Sequence, residues 1–147
     1  MKFFRIFFIL LVALFVLAQF FTIDKTNPKF DQKLDLISIE NPPQDIVQIL
    51  RNTCYDCHSN ETVWPWYSNI APVSWLIEKH VVEGRDNINF SEWGEYDQED
   101  KAYAAEEIIE EIEDGEMPIP GYDITHPHAK LDNVKKEKLI NWFKSLQ

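Results

Sequence analysis

Five consecutive residues constrain this chain more than anything else in it. Cys54-Tyr55-Asp56-Cys57-His58 is a C-x-x-C-H run, and it uses the only two cysteines among 147 residues. That run is the pattern of covalent c-type haem attachment. The chemistry needs the spacing. Two thiols three residues apart at the end of a helix reach the two vinyl groups on one edge of the porphyrin. The adjacent His58 then sits under the iron and offers an imidazole nitrogen. Cys54, Cys57 and His58 are therefore the first candidate cofactor residues, with haem c and its iron as the cofactor.

Three other chemistries compete for the same residues. A thiol–disulfide oxidoreductase also uses C-x-x-C, but there the pair opens a helix after a strand. A structural zinc site needs four ligands, and His126 and His128 are the remaining donors that could complete one. A plain disulfide across two intervening residues would be strained. With two cysteines a disulfide-built scaffold is excluded.

Length allows one domain. Hydrophobic residues make up 45% and aromatics 14% of the chain, enough to close a small core rather than remain disordered. The net charge of −11 makes nucleic acid a poor partner, because nothing here would neutralise a phosphate backbone.

The first 23 residues differ in kind. Lys2 and Arg5 precede an apolar run in which Gln19 is the one polar residue between positions 6 and 21. Residues 3–23 are about the ~20 needed to cross the hydrocarbon layer. The reading is an uncleaved membrane-spanning helix, with a cleaved signal ending near Val16-Leu17-Ala18 as the alternative. The basic flank places the N-terminus inside and the acidic domain in the periplasm, anchored to a bacterial inner membrane. Residues 24–41 read as a tether and residues 42–147 as the haem-binding domain.

The rest of the chain predicts helices joined by long loops. Pro42 and Pro43 suit the first turn of a helix that carries Ile46, Ile49 and Leu50 into the cysteines. Residues 55–70 read as an aromatic-rich loop. A second helix runs from Pro72 to Gly84, with Val73, Leu76, Ile77 and Val81 as its apolar stripe and Gly84 as its C-terminal stop. A third spans residues 98–114, with Tyr103, Ala104, Ile108, Ile109 and Ile112 facing in and Gly115 ending it. A last helix follows Asp132 and presents Leu139, Ile140, Phe143 and Leu146. No alternation is long enough for a confident strand. The fold class is all-α, with loops long enough to wrap around something.

The second axial position has two candidates. Met117 follows Gly115 and precedes Pro118, on a loop that can hold a thioether against iron. It is one of two methionines, and the other is Met1. His80 shares the apolar face of its helix and is the rival. Trp64, Trp66 and Tyr67 could line the haem edge and donate to propionates, or pack as ordinary aromatics. Arg85 could pair with a propionate, or sit on the surface beside Glu83. His126 and His128 read as surface or propionate-contacting residues. The carboxylates between Glu106 and Glu113 form a solvated face or a docking patch for a basic redox partner.

The sequence resembles the small bacterial haem-binding domain proteins common in Bacteroidetes. The likeness runs through Cys54-Tyr55-Asp56-Cys57-His58-Ser59-Asn60, Trp64-Pro65-Trp66-Tyr67, Pro72-Val73-Ser74-Trp75, His80, Glu83-Gly84-Arg85, Asn89-Phe90-Ser91-Glu92-Trp93, Glu116-Met117-Pro118, and His126-Pro127 with Ala129-Lys130-Leu131. More distantly it looks like a class I cytochrome c. That likeness implies a helical domain around the haem, thioether bonds at Cys54 and Cys57, His58 as proximal ligand and Met117 as distal ligand. The function expected is one-electron transfer by a single low-spin haem to an unidentified redox partner, as a carrier rather than a catalyst. A haem-based sensor or a peroxidase-like enzyme, with His80 and Arg85 over an open sixth site, is the alternative.

Overall fold

The computed structural model describes residues 1–147 and contains no strand. Eight α-helices run in order: α1 (Lys2–Ala18), α2 (Leu36–Glu40), α3 (Gln44–Thr53), α4 (Tyr55–His58), α5 (Val73–Asn87), α6 (Gln98–Asp114), α7 (Tyr122–Thr125) and α8 (Asn133–Lys144). Short 3-10 turns join several of them, so the all-α expectation holds.

The core forms where α8 crosses α6 and α3. Ile46, Ile49 and Leu50 from α3, Ile109 and Ile112 from α6, and Leu139 and Phe143 from α8 meet there. Burial of one such side chain contributes about 1.5–3 kcal/mol. The caps of α8 and α6 are those that the sequence suggests. Asp132 accepts from the Lys135 amide at 2.9 Å, and Gly115 ends α6 at φ 79°. Tyr103 departs from expectation. It lies outside, bonded to Glu107, and Ala105 takes the inner position instead.

The membrane-spanning helix over residues 3–23 is not formed. No helix is long and apolar enough to cross a membrane. Helix α1 ends at Ala18 after 17 residues, about 25 Å at 1.5 Å per residue, against a hydrocarbon layer of about 30 Å. The reason lies in the next few residues, which dock on the domain. The Gln19 amide pairs with both backbone groups of Ala71 at 3.0 Å, and the Trp75 indole donates to the Phe21 carbonyl at 2.9 Å. Phe20 to Ile23 therefore leave the helix axis. The membrane anchor and the inner-membrane location that rested on it fall with this helix.

Residues 24–41 are also more than a tether. Asn27 is bonded to Thr62 and Arg85, and Asp35 and Leu36 are fully buried in the domain. Helix α5 departs further. It continues through Gly84 to Asn87, and it buries Ser74, Val81 and Gly84 while leaving Val73 and Leu76 exposed. A Cβ on Gly84 would lie 2.8 Å from the Cys57 carbonyl oxygen. Gly84 is thus the point where α5 crosses α4, not the end of a helix.

Candidate haem site

Helix α3 delivers the cysteines. The Cys54 amide closes its last turn on Leu50 at 2.9 Å, and the Cys54 carbonyl then accepts from Cys57 and His58 at 3.1 and 2.9 Å. Cys54 therefore caps α4 from its N-terminal end, and Cys57 and His58 lie within that turn. Between the cysteines Tyr55 points the other way, into the core. Its hydroxyl donates to the buried Asp35 carboxylate at 3.1 Å, and Arg51 lies over its ring at 4.2 Å. The Tyr55 side chain pins the motif while its neighbours face outward. The following loop is tied just as closely. Arg85 donates to the Ser59 carbonyl at 2.7 Å, and the Asn60 amide donates to Ser91 at 2.9 Å.

The His58 ring is oriented by its backbone neighbour. Nδ1 lies 3.2 Å from the Ile88 carbonyl oxygen. A carbonyl can only accept, so Nδ1 carries the hydrogen and Nε2 keeps its lone pair. Burial pushes the His58 pKa below its usual value and favours the neutral ring. A neutral imidazole with one nitrogen held by a carbonyl is the form that ligates metals. The thiols tell against redox exchange. Burial pushes Cys54 up to about 12 and Cys57 up to about 11, whereas a reactive C-x-x-C lowers its thiol. The zinc alternative also lacks donors: no group of three or more His, Cys, Asp or Glu side chains converges.

Three adjoining cavities surround this turn. The first, about 260 Å³, is lined by Cys54, His58, Ile88, Ile108, Leu139 and Met117, and also by Glu107 and Glu111. The second, about 140 Å³, has Cys57, His58, His80 and Met117. The third, about 190 Å³, has Cys57, Tyr67, His80 and His126. The first and second, which share His58 and Met117, have the apolar character of a cofactor site. Two thiols, one oriented neutral imidazole and an apolar cleft fit haem, which is the group that the motif implies.

Met117 reaches this cleft because α6 closes on glycine. The Glu116 and Met117 amides both bond the Glu111 carbonyl, at 3.0 and 3.1 Å, which turns the chain back over the first two cavities. His80 is half-buried and lines the second and third. Tyr67 lines the third. Trp66 is exposed and lines none of the three. Trp64 lines none either, but its indole N–H is buried without a partner. Arg85 does not face the cleft. Its guanidinium is held by Ser59, Asn27 and Thr62. Sequence reasoning missed the Ile88 carbonyl, which has no side-chain signature, and the contact of Tyr122 with Asp56 and His126.

An all-helical domain with this cleft defines a haem-binding class of protein. The family model of the haem-binding domain matches residues 13–145, and the chain belongs to that family. Haem is its cofactor. No curated protein and no solved structure matches the chain.

Proposed function

We propose that the chain binds haem covalently, through thioether bonds at Cys54 and Cys57, and works as a one-electron carrier. The observation that carries this reading is the His58 ring, held at Nδ1 by Ile88, with Cys54 capping its helical turn and Cys57 within it. Haem bound there supplies a one-electron couple at its iron. His58 provides the proximal nitrogen, and Ile88 fixes the tautomer that leaves Nε2 free. Met117, which lines the same two cavities as His58, would supply the second ligand to the iron. Ile108, Ile112 and Leu139 exclude water, and His/Met ligation raises the potential relative to bis-His ligation. The partner is another redox protein. The commitment of Arg85 to backbone and side-chain acceptors away from the cleft favours a carrier over a peroxidase-like enzyme.

The test is expression with a c-type maturation system, followed by a denaturing gel stained for haem. Haem should stay on the full-length band and be lost from Cys54→Ala/Cys57→Ala. Loss of all haem from the unmutated chain on denaturation would overturn covalent attachment.

A further inference from the structure

We propose that the third cavity binds a small neutral hydroquinone, which reduces the haem from its thioether edge; the proposal rests on the haem attachment just described. The two cavities that hold the iron-facing groups contain both His58 and Met117. The third touches neither, and of the motif's haem-binding residues only Cys57 reaches it. It therefore lies on the Cys57 side of the motif, away from the His58 and Met117 side chains that would face the iron. Its walls are apolar, formed by Val63, Pro65, Ile77 and Ile119.

One end carries a proton relay. The Tyr67 hydroxyl lies 3.1 Å from His126 Nε2, and His126 Nδ1 lies 3.2 Å from the Tyr122 carbonyl oxygen. Nδ1 therefore bears the hydrogen, Nε2 accepts from Tyr67, and the Tyr67 oxygen keeps a lone pair for an incoming hydroxyl. The relay is held in place. The His126 ring stacks on Tyr122 at 4.0 Å and 16°, and the Tyr122 hydroxyl donates to Asp56 at 3.1 Å.

Apolar walls with a few convergent polar groups mark a small-molecule site. A proton acceptor beside a one-electron centre selects a ligand that loses a proton with each electron. A hydroquinone does so. Ferric haem held by Cys54, Cys57 and His58 would take up one electron in each event. The hydroxyl proton passes to the Tyr67 oxygen as the Tyr67 proton passes to His126. Two such events yield the quinone, two ferrous equivalents and two protons.

The experiment separates binding from electron transfer. Tetramethyl-1,4-benzoquinone is titrated by calorimetry into the oxidised holoprotein, where no electron can move. Saturable binding is expected, weakened about tenfold or more in Ile77→Trp, which fills the cavity, with an unchanged Soret band. Tetramethylhydroquinone should reduce the protein with a saturating rate. That rate should fall roughly tenfold or more in His126→Leu and in the conservative Tyr67→Phe, while reduction by dithionite stays the same. Absence of saturable binding, full binding by Ile77→Trp, or equal slowing with dithionite would overturn the site. A chain without covalent haem would overturn the preceding reading instead, and calorimetry on that chain still decides whether the cavity takes the quinone.

Discussion

Met117 and Asp35 carry the sharpest single-residue expectations. On the proposed ligation, Met117→Ala removes the thioether, lowers the reduction potential and opens the iron to carbon monoxide in the reduced state. His80→Ala should keep a low-spin, six-coordinate spectrum. Visible spectroscopy of the two variants checks this, and the reverse result would assign the sixth position to His80. Asp35 concerns stability. Burial raises its pKa above the ordinary 3.8, in spite of the bonds from Tyr55 and the Ile37 amide. The folded chain thus holds this proton to higher pH than the unfolded chain does. The stability contributed by protonated Asp35 is full below about pH 4 and is lost as pH rises through the folded-state value. Asp35→Asn keeps an acceptor for Tyr55 and a cap for α2. Urea unfolding across this range should show a flatter decline with pH in the variant. Tyr55→Phe, which leaves the buried carboxyl without its phenol, should cost about 1–3 kcal/mol, and more where Asp35 is ionised, because the phenol's bond favours the charged carboxylate.

Two glycines at element boundaries and crossings act for different reasons, and alanine distinguishes them. Inside a helix, Gly→Ala ordinarily stabilises by up to about 1 kcal/mol. At Gly84 the sign reverses, because the new methyl would lie 2.8 Å from the Cys57 carbonyl oxygen. Helix α5 would have to move off α4, at a cost of about 1–3 kcal/mol. The Ile88 carbonyl that holds His58 belongs to the residue that caps this same helix. Gly84→Ala should therefore lower both the unfolding midpoint and the yield of correctly ligated haem. At Gly115 nothing lies within 4 Å of an added Cβ, but φ is 79°. Gly115→Ala should cost only about 1 kcal/mol, and Gly115→Asn less, since Asn tolerates the left-handed region. Thermal melts of the three variants check the contrast.

Across the molecule, core and cleft share their walls. Ile112 and Leu139 are buried in the helical core and also line the first cavity. Haem seated there would complete the core as well as supply the redox centre. The chain matured without haem should thus be less stable than the holoprotein by about 3 kcal/mol or more, since several apolar side chains lose their covering. Urea unfolding of the haem-free Cys54→Ala/Cys57→Ala variant beside the holoprotein measures it. Equal midpoints would mean that the helices close without the cofactor.

Local chemistry alone marked out α3, α6 and α8, because each carries an apolar stripe at helical spacing together with its own punctuation. Pro43 before α3, Gly115 after α6 and Asp132 before α8 are short-range signals. The C-x-x-C-H run was equally legible, because its five residues are contiguous and need no partner to be read. Helix α5 was legible as a helix but not in its end or its inner face, because that face was chosen by a close crossing at Gly84 rather than by hydrophobic period. The N-terminal helix stops at Ala18 because Gln19 and Phe21 find partners more than fifty residues away, at Ala71 and Trp75. The carbonyl that orients His58 and the relay of Tyr67 with His126 join residues 30 and 59 positions apart. Contacts of that range leave no periodicity and no cap in the sequence, so only the packed chain could place them.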